Sequence, residues 1–353
     1  MALDVGILGV GGIADAHFPA YRQFDELRVG GVCDVDESAA KAAAEEFETD
    51  RWTEFETFVV EADIDAVDVI LPHVLHYPAA KAALEAGLHV HVEKPFVTSM
   101  EQARELVDIA DERDLTLMVG QTQRYDPHNR AVERRLADGE LGEVHHARFD
   151  AVQNLREHVD TDHWLFDGEK AGGGGVISVL VHRLDLLRYF LGEPRRVTAL
   201  AKTVDPAFED AEDYCVGLLE MENGAMVDVF DTYSAAGFPY GEGFWLFGEE
   251  RVVHALPAEG EATTAPRISR SDAPREFDEI PADVELPSES GFVNELVHFA
   301  NCVETRTEPL SSGRDNLRTL ATVFTIYESV ARDNEWVSVA DVLAGSGPRR
   351  RDP

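Results

Sequence analysis

The chain has 353 residues and a formal net charge of −37, from 68 acidic and 31 basic residues, with 44% of its residues hydrophobic. That length supports two domains with real cores, and that charge repels nucleic acid and anionic membranes, which excludes both as partners. The apolar content and near-continuous periodicity exclude a disordered acidic chain.

A folded protein with such an acidic excess and only five lysines (Lys41, Lys81, Lys94, Lys170 and Lys202) suits a salt-rich cytoplasm, where screening removes the self-repulsion. The composition therefore predicts a halophilic source. Cys33, Cys215 and Cys302 lie far apart with no CxxC and no even-numbered framework, which points to a reducing interior. The first residues run straight into a strand, so no signal peptide is expected, and no apolar run approaches the length of a membrane span.

The pattern predicts a strand over residues 4–10, ending in Gly9-Val10-Gly11-Gly12-Ile13-Ala14 and a helix through Phe24. This is G-x-G-x-x-A between strand and helix, where glycines allow a tight turn and backbone N–H groups can reach a pyrophosphate. The next strand, 27–33, ends in Asp34. An acid about twenty residues past the glycines can bind both ribose hydroxyls of NAD, and it would repel the 2′-phosphate of NADP. Asp34 also reads as one more solvated charge among many. The spacing and strand-end position favour the cofactor role, with NADP kept as the alternative.

Residues 38–47 read as an alanine-rich helix and 66–71 as a strand, followed by Pro72-His73-Val74-Leu75-His76. His76 opens a helix to Ala86 that Gly87 caps. Residues 88–92 form a strand in which His89 and His91 alternate with valines, stopped by Glu93-Lys94-Pro95. In open α/β sheets ligands bind outside the carboxyl ends of the strands. A partly desolvated lysine there can polarise a substrate oxygen, although Lys94 with Glu93 reads equally as a strand-end ion pair. A helix over 100–113 and a strand over 115–119 complete an alternation that predicts a doubly wound parallel sheet. Leu71, Pro72, His73, His76, Glu93, Lys94 and Gln123 border its crevice and are candidate cofactor contacts, with Gly9, Gly11, Gly12, Ile13, Ala14 and Asp34.

After Gly120 the pattern changes: a charged helix to Ala137, a strand over 144–152, an irregular segment containing Asp162-His163-Trp164, and Gly172 to Gly175. The apolar helix that follows makes the glycine run a packing turn rather than a linker. That helix, 178–191, places His182 and Asp185 on one face. They read as a structural pair, an acid/base unit or, least favoured, a metal half-site, since nothing nearby supplies further ligands at a recognisable spacing. Strands over 196–204, 214–221, 225–233 and 244–254 follow, with a hairpin turn at Asn223-Gly224. A polar loop over 259–290 and helices over 292–305 and 315–332 close the chain, and the Arg349-Arg350-Arg351 tail is expected to fray. The division predicted is 1–123, a dinucleotide-binding domain, and 124–353, an α+β domain.

In this order the Gly9-x-Gly11-Gly12-Ile13-Ala14 turn, Pro72 with His76, Glu93-Lys94-Pro95, Arg124 with Pro127, the glycine run, and His182 with Asp185 resemble the glucose–fructose oxidoreductase/inositol dehydrogenase (Gfo/Idh/MocA) family over nearly the full length. The resemblance implies a Rossmann domain, a second domain with a mainly antiparallel, open-faced sheet, and a homodimer or homotetramer built on that face. It assigns Lys94 to substrate and cofactor contact and His182 to acid/base work. Arg124, Asp162, Trp164 and Ser178 join them as candidate substrate contacts. Two positions depart from the family. Many of its dehydrogenases carry an aspartate where Ser178 stands, and an asparagine where Thr122 stands. A hydroxyl cannot hold the charge of a proton relay, so Ser178 keeps open a sugar lyase or hydrolase that recycles bound NAD. A non-catalytic nucleotide sensor is the remaining alternative to a sugar, inositol or polyol dehydrogenase.

The charge predicts that Tm rises between dilute and molar salt. A salt-independent Tm, read by differential scanning fluorimetry, would contradict the halophilic reading.

Overall fold

The computed structural model describes residues 2–208, 210–236, 241–256 and 265–345. The chain forms two compact units. The first comprises residues 1–126 and 285–317, the second 127–284 and 318–353. The first unit thus takes back a late segment that a single cut after residue 123 would leave with the second.

The first unit is built on six parallel strands: β1 (Leu3–Leu8), β2 (Leu27–Cys33), β3 (Arg51–Trp52), β4 (Ala66–Val69), β5 (His89–Glu93) and β6 (Leu117–Gly120), in the order β3-β2-β1-β4-β5-β6. Helices Ala14–Gln23, Glu37–Phe47, Phe55–Glu61, His73–Ala86 and Met100–Arg113 connect them. Parallel strands need such crossovers, and the helices cover both faces of the sheet. The order reverses between β1 and β4, which places the ligand crevice of this architecture at their carboxyl ends. Caps set the helix limits. Asp36 accepts the N–H groups of Ser38 and Ala39, Ser99 accepts that of Gln102, and Gly87 turns left-handed at φ 89°.

Helix Gly291–Thr305 packs Val293, Leu296, Phe299 and Ala300 into the core that holds Val5, Ile7, Phe18 and Tyr21. Each such buried side chain contributes about 1.5–3 kcal/mol relative to exposure. That is the physical reason the late segment belongs to the first unit.

The second unit carries β7 (Val144–Val152), β8 (Pro194–Lys202), β9 (Tyr214–Met221), β10 (Met226–Thr232), β11 (Gly241–Gly248), β12 (Val252–Ala255), β13 (Arg267–Ser269), β14 (Phe277–Glu279) and β15 (Val337–Ser338), in the order β14-β13-β12-β11-β7-β10-β9-β8-β15. All described pairs are antiparallel except β7 with β10. Along β9, Cys215, Leu219 and Met221 are buried while Val216 and Leu218 are exposed. One face is therefore the core and the other is open.

The structure revises several boundaries. The short β3 and helix Phe55–Glu61 lie where no element is expected. The helix expected from His76 begins at His73, because Pro72 already holds the extended conformation of an N-cap, at φ −54° and ψ 145°. Residues 244–254 form two strands with a break at Glu249-Glu250. Part of the expected polar loop pairs as β13 and β14. Residues 257–264 and the arginine tail lie outside the described residues.

Candidate functional site

The glycine turn follows β1. Gly9 has φ +92°, and a Cβ there would fall 2.1 Å from the Ile70 carbonyl oxygen. Only glycine joins the required backbone angle to that close approach of β1 and β4. Gly11, Gly12 and Ile13 are exposed, and a Cβ at Gly11 or Gly12 would meet nothing within 4 Å. Helix Ala14–Gln23 begins with no side-chain cap. Its positive end and first N–H groups thus lie under an open turn, which fits a pyrophosphate. Asp34 ends β2. One carboxylate oxygen accepts the Val10 N–H and the other the Asp36 N–H, both at 2.9 Å. Each oxygen keeps a lone pair for a ribose hydroxyl. These residues suit a nicotinamide dinucleotide.

Lys94 follows β5 at its carboxyl end and is half-buried. Its backbone N–H donates to Glu93 Oε2 at 3.0 Å. Glu93 Oε1 lies 3.2 Å from His17 Nε2, and the other ring nitrogen of His17 lies 2.8 Å from Asp68 Oδ2. Tyr21 donates to the same Asp68 oxygen at 2.8 Å, and His91 Nδ1 meets Asp68 Oδ1 at 2.8 Å. Burial works against charge on His17 and His91, but the facing carboxylates outweigh it. His17 is raised well above its ordinary value and His91 to about 9. Burial would raise Glu93, yet His17 and Lys94 bring it down to about 2. β5 is therefore buried on both faces at His91, where alternation with valine suggested one polar side.

Leu71, Pro72 and His73 form the end of the β4 connection and the start of helix His73–Ala86. His76 is fully buried. Nδ1 lies 2.7 Å from the Pro95 carbonyl and Nε2 2.7 Å from the Leu71 carbonyl. A neutral imidazole carries one N–H, so one of these nitrogens donates to its carbonyl and the other only lies beside one. Burial holds its pKa down against the pull of the two carbonyls.

Gln123 follows β6 in the 3₁₀ turn Thr122–Tyr125 and is half-buried. The Thr122 hydroxyl donates to Glu295 Oε2 at 2.8 Å. Arg124 is 4% exposed and ties the Leu310 carbonyl, at 2.8 Å, to Asp315, at 2.7 Å. Its guanidinium thereby joins the late segment to the rest of this unit.

In the second unit the glycine run is a packing turn. A Cβ on Gly174 would fall 1.7 Å from the Glu212 carbonyl oxygen. The Glu212 carboxylate accepts the N–H groups of Gly174 and Val176 and the Tyr327 hydroxyl. The turn leads into a π-helical turn, Val176–Leu180, and then helix Val181–Leu191. The wide turn, a form frequent at functional sites, lies where a plain helix from Ser178 is expected. Ser178 is 2% exposed, and His182 follows on the next turn, half-buried. Asp185 is buried and accepts the Thr319 hydroxyl at 2.7 Å beside Arg188, which favours its packing role. Asp162 is exposed, and Trp164 is half-buried in the 3₁₀ turn Trp164–Phe166.

Sequence reasoning missed His17, Asp68 and the inward role of His91. The signal was a polar residue inside an otherwise apolar parallel strand, Asp68 within Ala66-Val67-Asp68-Val69. Such strands are covered on both sides, so the carboxylate had to be interior and paired. Among the described residues, His17, Asp68 and His91 also form the one group near enough to hold a metal ion.

A doubly wound sheet with an open glycine turn and an acid at the end of β2 defines a dinucleotide-binding protein. Its kinship is narrower than that. Residues 3–121 match the profile of an oxidoreductase family with an NAD-binding Rossmann fold, and residues 129–254 match the GFO/IDH/MocA C-terminal domain. The chain belongs to the Gfo/Idh/MocA oxidoreductases. It is 27% identical to inositol 2-dehydrogenase of Rhizobium meliloti, over 96% of this chain and 100% of that one. It is 27% identical to the NADP-linked D-xylose 1-dehydrogenase of Haloarcula marismortui, over 83% and 81%. Aldose-aldose oxidoreductase of Caulobacter crescentus, solved with glycerol, superposes with a TM-score of 0.85 at 26% identity, covering 96% of this chain and 100% of that one.

Asp34→Ala should weaken NADH binding roughly 10- to 100-fold, the worth of a charge-assisted hydrogen bond, while NADPH binding falls less. Equal loss for both cofactors, by fluorescence titration, would remove Asp34 from cofactor choice.

Proposed function

We propose that this oxidoreductase is a dehydrogenase that oxidises a secondary or anomeric hydroxyl of a sugar, inositol or related polyol, with NAD preferred over NADP. The observation that carries the reading is Lys94, half-buried at the carboxyl end of β5, in the sheet that holds the glycine turn and Asp34. The similar inositol and D-xylose dehydrogenases support the substrate class. Asp34 supports NAD, although the xylose enzyme is NADP-linked.

A nicotinamide dinucleotide, when bound, accepts the hydride. The hydroxyl proton must also leave, and His182 takes it, as an imidazole that titrates near neutrality can. Lys94 stabilises the developing alkoxide and orients the substrate. Ser178 offers a hydroxyl but no charge to His182, so the proton goes onward without a carboxylate four residues before the base. This is the feature that favours recycling of the cofactor as the second reading.

Lys94→Ala should lower kcat roughly 100- to 1,000-fold, as loss of an oxyanion donor does, with NADH affinity within about threefold of wild type. Unchanged turnover would remove Lys94 from the mechanism. The assay is a polyol, aldose and inositol panel in high salt with both cofactors. Accumulating NADH supports dehydrogenation, product without NADH supports recycling, and binding without turnover supports a sensor.

The acidic composition supports a halophilic source, as do similar proteins from Haloarcula marismortui and Haloferax volcanii. Three buried, unpaired cysteines suit a reducing cytoplasm, which cell fractionation tests. Among the described residues no helix is long and apolar enough to cross a membrane. Leu200, Val216, Leu218 and Met226, all exposed on β8, β9 and β10, make an apolar face that a second copy would cover, giving a homodimer or homotetramer. Leu218→Asp should lower the mass measured by light scattering. A wild-type monomer, or a variant of unchanged mass, would overturn that interface.

A further inference from the structure

We propose that Lys94 is held in place by two buried histidines: His17 through the Glu93 side chain, and His76 through the Pro95 carbonyl. Asp68 and His91 complete the ion-pair chain that fixes His17. The inference rests on the role given to Lys94 above and goes beyond it, since it assigns positioning residues that never touch substrate.

The geometry closes on the lysine from both sides. Glu93 stands between His17 Nε2 at 3.2 Å and the Lys94 N–H at 3.0 Å. Gly120 on β6 leaves the space this carboxylate occupies, since a Cβ there would fall 3.0 Å from Glu93 Oε1. His17 is anchored by Asp68, which also accepts from Tyr21 and faces His91. His91 Nε2 lies 3.9 Å from Glu295 Oε1, an ion-pair distance too long for a hydrogen bond. Across the lysine, His76 is packed between the Pro95 and Leu71 carbonyls, with one ring nitrogen 2.7 Å from each. The side chains of His17, Asp68 and His91 are wholly buried.

Burial makes each contact directional and costly to break. A buried ion pair adds little net stability over apolar packing, but removing one member leaves a stranded charge. A purely structural core could have used leucine and valine. This chain instead ends on the backbone amide of the residue proposed to meet the reacting oxygen, where a displacement of about 1 Å can cost roughly 100-fold in rate.

The same three residues are close enough for a metal ion. However, each Asp68 oxygen already faces an imidazole Nδ1 at 2.8 Å, so protons fill the positions a metal would need.

The titratable groups around Glu93 are His17, His76, His91, Lys94 and Glu295. His17 and His91 have raised pKa values, so their stabilisation is complete below an unfolded value of about 6.5. It is lost as pH rises through about 9 for His91. Glu93 is lowered, so its contribution is present above an unfolded value of about 4.3 and is lost as pH falls through about 2.

The test uses the full chain with His17→Asn and His17→Gln. Asparagine places an amide near Nδ1 and keeps Asp68; glutamine reaches the Nε2 position and keeps Glu93. His17→Asn should lower kcat about tenfold or more, leave KM and NADH affinity within about threefold, and move the acid limb of the pH profile upward as Glu93 loses its cationic partner. His17→Gln should recover most of the loss. Without substrate or cofactor, the Lys94 backbone amide resonance should shift in His17→Asn and stay near wild type in His17→Gln. The ring ¹⁵N shifts of His17 and His91 should report doubly protonated imidazoles at pH 7.5. His76→Leu, which removes both ring nitrogens, should disturb the same amide and serves if both His17 variants fail to fold.

An unmoved Lys94 amide in His17→Asn, neutral rings, or a kcat loss equal in the two variants would overturn the positioning role. So would a Tm that a zinc chelator lowers. If Lys94→Ala keeps full turnover while the amide still moves, the functional reading fails and the mechanical coupling stands.

Discussion

A carboxylate at the centre of a parallel sheet dictates much of what surrounds it. Asp68 lies in β4, beside β1 and β5, with no exposure. An isolated charge there is prohibitively costly, so the site must either neutralise it or surround it with donors. The structure surrounds it. Two imidazoles and a phenol occupy its two oxygens, and burial is outweighed so far that its pKa falls below the ordinary carboxylate range. His17 lies on helix Ala14–Gln23, which follows the glycine turn, and His91 lies on β5, two residues before Glu93. One buried charge therefore couples the helix after the glycine turn to the lysine strand.

The second unit solves a related problem differently. Glu212 is half-buried and its pKa is raised by desolvation, with backbone N–H groups and the Tyr327 hydroxyl partly offsetting that rise. Asp231, fully buried, is raised well above its ordinary value by burial and then by Glu212, Glu242 and Asp213. Where the first unit answers a buried acid with cations, the second gathers acids, and their closeness adds to burial in raising the pKa of Asp231. The packed glycines explain the need for closeness, since a Cβ on Gly175 would fall 2.1 Å from Asp231 Oδ2. That contact holds the start of the π-helical turn leading to His182.

Local signals made the first sheet legible. The G-x-G-x-x-A turn, Asp34 at the end of β2 and Gly87 as a helix stop each follow from neighbours within a few residues. So do the limits of helix Met100–Arg113 and of β7 and β9. What could not be read is carried by distant partners. β3 has two residues and too little pattern to register. The parallel pairing of β7 with β10 is fixed by sheet assembly, not by either strand's periodicity. The return of residues 285–317 to the first unit depends on Phe299 and its neighbours meeting Phe18 and Ile7. The cluster behind Lys94 joins positions 17, 68, 91, 93 and 295, no two of which announce each other in the chain. Arg124 and His76 both fit a family motif and also make contacts that hold the first unit together, Arg124 to the Leu310 carbonyl and Asp315 and His76 beside the Pro95 and Leu71 carbonyls.

The lysine-poor composition bears on the interior as well as the surface. Buried positive charge in this protein is carried by groups that form planar, directional contacts: His17 and His91 on Asp68, Arg124 on Asp315, Arg183 on Glu242, and Arg188 on Glu193 and Thr319. A guanidinium stays charged and holds two acceptors in a fixed plane, whereas a lysine is a mobile point charge that shifts its pKa when desolvated. Three of the other four lysines sit in partly exposed pairs, Lys41 with Glu45, Lys81 with Glu105 and Lys170 with Asp167. Lys94 differs in position and in surroundings. It stands at the carboxyl end of a buried strand, its backbone amide fixed by a carboxylate and its following residue by an imidazole. A flexible ammonium becomes a defined point of charge only if its root does not move. The buried histidines around it supply that rigidity from within the core.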